Sequence, residues 1–264
     1  MKYRWILNQF PLLVFCCGAF VPRALEAQIS TYSQTVSADT FVSSGEPDLN
    51  FGSRGAMEIA APTATQPRTQ IALLRFETAA MRAAFDADYG VGNWAVTSVS
   101  LSLSSSVATA GQQPNNSSFN RIAAGDFEFA LLSNDGWSET GITWNTLPGI
   151  LPGTGNGNTS TPLGNFFWPA NGAASSVWTL NLDALLLNEI YTGDTLTLLG
   201  QPTIGSTVGY LFNTSPSNPS HLDVAVQAVP EPSVWAVIAC AVAGLATRRV
   251  LTAKVCGPAP DGIN

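Results

Sequence analysis

Val99-Ser-Leu-Ser-Leu-Ser104 places an apolar residue at every second position, and a period of two is what a strand with one buried face requires. Asp126-Phe-Glu-Phe-Ala-Leu131 repeats the pattern with Phe127, Phe129 and Leu131 on one face. The same reading predicts strands at Ser37–Val42, Ala72–Glu77, Ile142–Asn145, Val177–Leu182, Thr195–Leu199, Val208–Phe212 and Leu222–Val226. Between them lie Gly, Pro, Asn and Ser, the residues that tight turns need. A parallel sheet would demand crossover helices between successive strands, and none is legible. The pattern therefore predicts an all-β fold, an antiparallel two-sheet sandwich of jelly-roll type. Two short segments, Thr78–Phe85 and Asp183–Ile190, are rich in helix formers and read as covers over the open ends of the sandwich. Asp183 supplies a favourable N-cap for the second.

The ends of the chain follow a different logic. Lys2 and Arg4 precede a mostly apolar run, Trp5–Phe20, and Ala24-Leu-Glu-Ala27 follows with a small residue at a plausible cleavage point. That is the layout of a secretory signal peptide, assigned to residues 1–27. The cysteines are Cys16, Cys17, Cys240 and Cys256, so the middle of the chain, Gln28–Ala228, contains none. Disulfides, thiolate metal sites and a cysteine nucleophile are excluded there, and packing with strand pairing must hold the fold.

At the other end stand Val229, Pro230, Glu231 and Pro232, then the uncharged run Ser233–Thr247, then Arg248 and Arg249. As a helix the fifteen-residue run would span about 22 Å, short of a full bilayer core. The paired arginines would hold their end on the cytoplasmic side. The order of motif, apolar run and basic stop resembles the PEP-CTERM sorting signal of exported bacterial proteins. The resemblance implies an exosortase-type membrane protease as partner, cutting near Pro230–Pro232. It also implies transient membrane anchoring through the C-terminal sorting helix (229–249), and delivery to the cell surface or extracellular space. Residues 250–264 form a tail longer than such signals usually carry.

Charge narrows the partners. Residues 28–228 carry five arginines and no lysine against fifteen carboxylates, a balance of −10. Such a surface repels phosphate backbones, which excludes nucleic acid, and repels anionic polysaccharide unless divalent cations bridge the two.

Ala38-Asp-Thr-Phe-Val42, Pro47-Asp-Leu-Asn-Phe-Gly-Ser53, Ala72-Leu-Leu-Arg-Phe-Glu77 and Gly136-Trp-Ser-Glu-Thr-Gly-Ile-Thr-Trp-Asn-Thr-Leu-Pro148 follow one another in that order. Together they resemble the DNRLRE-type domain, a β-sandwich grouped with carbohydrate-binding modules. The resemblance implies a non-catalytic domain at 28–228 that associates with extracellular polysaccharide. The departures are the long insertion Gly149–Ser176 and a closing strand without its usual arginines.

Within that segment, Trp144 and Trp137 read as core, and Glu139 as a turn residue that bonds backbone amides. Arg75 alternates with Leu74 and Phe76, so it points away from their face; pairing with Glu77 or another carboxylate is favoured over contact with a ligand. A glycan site needs exposed aromatics beside hydrogen-bonding groups. Asn165, Phe166, Phe167 and Trp168, with Asn171, offer both within the insertion, expected to be a loop; the alternative is that these aromatics fold back to cover a sheet edge. Asp39, Asp48 and Asn50 supply oxygens of the kind calcium prefers, although ordinary turn capping by the same residues is the favoured reading. Asp86-Ala-Asp88-Tyr-Gly90 fails as a calcium loop, because Thr97 occupies the position of the required glutamate. No cofactor is required by these patterns.

An enzyme is disfavoured: His221 is the sole histidine, Ser220 beside it makes no triad, and no pair of carboxylates is selected by spacing. The alternatives to a glycan binder are a structural display protein without a defined ligand and a polysaccharide-degrading enzyme.

Overall fold

The computed structural model describes residues 28–104, 122–153, 155–170, 175–213 and 219–229. Both terminal segments assigned from the sequence, the signal peptide and the sorting motif from Pro230 onward, lie outside the described residues, as does Asn171.

Eleven strands, two α-helices and one short 3-10 helix, Leu147–Gly149, are described. The smaller sheet contains β1 (Ile29–Thr35), β11 (His221–Ala228), β5 (Trp94–Ser104) and β8 (Ser175–Leu180), paired in that order. The larger contains β10 (Gly209–Asn213), β3 (Ala56–Ala60), β4 (Gln70–Glu77), β9 (Thr195–Pro202), β6 (Gly125–Leu132) and β7 (Ser160–Trp168), with β2 (Ala38–Ser43) paired along β4. All pairings are antiparallel. The two sheets form the expected sandwich.

Alternation places the core. On β5 the inward residues are Val99, Leu101 and Leu103; on β11 they are Leu222, Val224 and Val226; all six are buried. Facing them from the larger sheet are Phe41, Ala72, Leu74, Phe76, Phe127, Phe129, Tyr210 and Phe212 in one contiguous cluster. Burying side chains of this size contributes about 2–3 kcal/mol each, which replaces the cross-links the domain lacks.

Helix α1 (Ala79–Tyr89) turns Met81 and Phe85 into that core, and α2 (Ala184–Thr192) turns in Leu186 and Ile190. Asp183 caps α2 by accepting a bond from Leu185 N–H at 2.8 Å. Gly193 ends it in the left-handed conformation, φ 74°, where a side chain would be strained.

Strand β4 is buried on both faces, which a simple sandwich does not explain. Its outward residues Ile71 and Leu73 join Ala38, Val42, Leu132 and Leu199 in a second cluster. What covers them is the irregular segment that follows β6, through Trp137, Ile142, Leu147 and Ile150. This corrects the strand expected at Ile142–Asn145. Ile142 N–H bonds back to Ser138 O and Leu147 N–H to Thr143 O, so the segment coils over the sheet instead of joining it. Trp137 is buried as expected and Trp144 packs half-buried beside it.

A second correction concerns the insertion Gly149–Ser176. It is not a loop throughout, because residues 160–168 form β7 against β6.

Candidate functional site

Four of the predicted glycan residues, Asn165, Phe166, Phe167 and Trp168, sit on β7, and its alternation divides them. Phe166 and Trp168 point inward. Trp168 is only 2 % exposed and stacks on Tyr210 with ring centroids 4.2 Å apart. Trp168 is therefore a core residue and not a surface platform, contrary to its assignment from the sequence. Phe166 is half-buried against Phe127 and Trp178. Burial pushes the Tyr210 hydroxyl beneath them up to about 12, partly offset by Ser176 and Trp178.

Phe167 and Asn165 face solvent. Phe167 is 56 % exposed, a large aromatic ring with more than half its surface in water. Register builds the rest of the site around it. Phe167 lies opposite Asp126 on β6, and Asn165 lies opposite Glu128, which in turn faces Gln201 on β9. Gln201 donates its side-chain amide to the Glu128 carboxylate. Thr203 closes the row, its N–H and hydroxyl both donating to Asp126 O, at 3.2 and 3.3 Å. Asp126, Asn165, Phe166, Phe167 and Thr203 line an open depression of about 400 Å³. An aromatic face beside two carboxylates, two amides and a hydroxyl matches the two sides of a sugar ring, whose C–H face is apolar and whose edge carries hydroxyls.

Sequence reasoning missed Asp126, Glu128, Gln201 and Thr203 as site residues. The alternation of Asp126-Phe-Glu-Phe129 already put both carboxylates on the outer face. What was lacking was the knowledge that β7 lies against it.

Of the residues proposed for calcium, Asp48 and Asn50 are hydrogen-bonded within the protein. Asp39 is buried on β2. Asp48 accepts from Asn145 Nδ2 at 2.7 Å, and Asn50 Oδ1 accepts from Gly52 N–H at 3.0 Å. The Asn50 amide donates to Glu139 O and Ile142 O at 2.8 and 2.7 Å, which clamps the covering segment. Gly52 passes so close to this segment that a Cβ would lie 2.1 Å from Glu139 O. No group of three or more His, Cys, Asp or Glu residues among the described residues is arranged to hold a metal ion.

Arg75 lies on the outer face as expected. It donates to Trp137 O at 2.9 Å, sits over the Trp137 ring at 5.1 Å and approaches Glu77 at 3.8 Å. Glu139 accepts from the Asp39 amide; partial burial raises its pKa, and Arg75 and that bond pull it back. Asp135 and Glu189 are raised by burial too, with Asp194 adding like charge to both. His221 opens β11, near Thr35 Oγ1 at 3.4 Å.

A family model for carbohydrate-binding module family 96 matches residues 30–161, half of the chain. The chain belongs to that family. Its members are binding modules and not catalysts. The match covers β1 to the start of β7, and so includes the Asn50 clamp and Asp126 and Glu128, while Asn165 and Phe167 lie just beyond it. Among solved structures the family-96 chain is similar to VP1 of Trichodysplasia spinulosa-associated polyomavirus, in complex with GM1 oligosaccharide. The identity is 11 %, over 78 % of this chain and 96 % of that one, and the TM-score is 0.20. No curated protein matches the chain.

Proposed function

We propose that this chain is an exported, non-catalytic protein whose sandwich holds extracellular polysaccharide at the outer face of β9, β6 and β7. One observation carries the site: Phe167 stands 56 % exposed on a strand, beside Asp126, Asn165 and Thr203, in a family of carbohydrate-binding modules. The ring supplies the stacking surface. Asp126, Glu128 and Asn165 take the sugar hydroxyls, and the two carboxylates favour neutral, hydroxyl-rich chains over uronates or sulfates.

The DNRLRE-type reading of 28–228 is supported by its motif order, and the PEP-CTERM reading of 229–249 by Val229-Pro-Glu-Pro232 and the Arg248-Arg249 stop. On that reading residues 1–27 direct export. The C-terminal helix holds the chain in the membrane until an exosortase-type protease acts, and the domain ends on the cell surface or in the matrix. No cofactor is needed. Calcium at Asp39, Asp48 and Asn50 would brace the corner that Asn50 already clamps, and a fall in Tm on adding a chelator is the result that would support it.

The test is a glycan array probed with Gln28–Ala228, with and without calcium, followed by titration of any ligand against Phe167→Ala. Saturable binding, lost in the variant while the Tm holds, supports the reading. A display protein without ligand would show no saturable binding, and degradation of a bound glycan would overturn the non-catalytic assignment.

A further inference from the structure

Among the described residues, the chain itself meets parts of three edge strands. On the larger sheet, β10 is bridged on its free side by Ala123 through Gly209. On the other side of the sandwich, β7 and β8 approach each other, and Asn181 N–H donates to Leu163 O at 2.7 Å. Strand β1 is different. It pairs with β11 over all seven residues without a bulge, and no strand or bridge pairs with its outer edge among the described residues.

Natural edge strands are usually protected by a charge, a proline or a bulge. Ile29-Ser-Thr-Tyr-Ser-Gln-Thr35 has none of these. The sheet behind it is similarly bare of charge. Its outer face presents Thr31, Ser33 and Thr35 from β1, Ser98, Ser100 and Ser102 from β5, and Thr179 from β8, with Asp223 as the one carboxylate of the four strands. Asp223 is already bonded by Ser33 at 2.5 Å and Ser102 at 2.6 Å. On a domain with fifteen carboxylates, the four strands of this sheet carry one, and Asp88 of α1, which accepts from the Tyr32 hydroxyl, is a second beside the edge.

We infer that β1 pairs with β1 of a second copy, antiparallel and two-fold symmetric, joining two four-stranded sheets into one of eight strands. Centred on Tyr32, the pairing sets Thr31 opposite Ser33 and Ile29 opposite Thr35, so the contact is self-complementary. The glycan depressions lie on the opposite sheet of each copy, so the dimer would be bivalent. The inference itself does not depend on the glycan reading.

The test uses the full-length chain in sedimentation over a concentration series. The wild type is expected to pass from monomer to dimer. Thr31→Lys with Ser33→Lys sets lysine against lysine in that register and should weaken association at least about tenfold. Thr31→Glu with Ser33→Lys sets glutamate against lysine and should restore it. Both positions are exposed, and both variants share Lys at 33 beside Asp223, so circular dichroism of the second controls for folding of the first. Hydrogen exchange on the wild type gives an independent reading: β1 amides should gain protection as concentration rises. A wild type that stays monomeric, a lysine variant that associates normally, a glutamate–lysine variant that does not regain association, or concentration-independent protection of β1 would each overturn the inference.

Discussion

Replacing Phe167 by alanine removes a ring that is mostly in solvent, so stability should change by no more than about 0.5 kcal/mol while glycan affinity falls. Trp168→Ala, one residue on, removes a buried indole stacked on Tyr210 and should cost about 3–5 kcal/mol. Chemical denaturation of the two variants beside a binding titration separates the roles. Titration of single carboxylates should also be visible in stability. Asp135, Glu139 and Glu189 have folded pKa values raised above their ordinary 3.8, 4.5 and 4.5. A raised carboxylate binds its proton more tightly when folded, so its stabilising effect is full below the ordinary value and is lost as pH rises through the folded one. Tm should therefore fall as pH is raised above the ordinary carboxylate range, and Glu189→Gln should flatten that slope. A Tm that rises over the same range would contradict the assignment.

At the scale of elements, Asn50, Arg75 and Asp48 each reach the covering segment from Trp137 to Ile150, and Asn50 makes two bonds to its backbone. Asn50→Ala deletes two hydrogen bonds to the carbonyls of Glu139 and Ile142 and should cost about 2 kcal/mol, read as a lower denaturation midpoint. The same scale shows what the sequence could reveal. Strands β2, β4, β5, β6, β8, β9, β10 and β11 were legible from their alternating or apolar runs. Strand β1 was not, since of its inward residues only Tyr32 meets the core and the strand exists through pairing with β11. Strand β7 was hidden by Pro162 and Gly164, which a strand tolerates at an edge and a register shift. Ile142 and Trp144 alternate as a strand would, yet they serve a second hydrophobic layer that a one-core reading does not anticipate. Of the candidate site, the aromatics were visible from composition. Which of them face water was decided by strand alternation across a segment read as a loop.

For the whole molecule, charge should govern the choice of polysaccharide. With fifteen carboxylates and no lysine in 28–228, neutral glycans should bind with little dependence on ionic strength. Anionic ones should bind only with divalent cations present and be released by chelator. A titration of both classes at two salt concentrations checks this, and cation-independent binding of an anionic chain would contradict it. The pairing of the first strand with the last has its own consequence for how the molecule comes into being. Ile29 is made early and Gln227 almost two hundred residues later, yet they are neighbours across one ladder. While synthesis continues, the opening segment has no partner to zip onto, and closure of the smaller sheet must wait until residue 228 has emerged. The nascent chain thus stays incompletely knit for nearly its whole synthesis, a state suited to threading through a narrow pore.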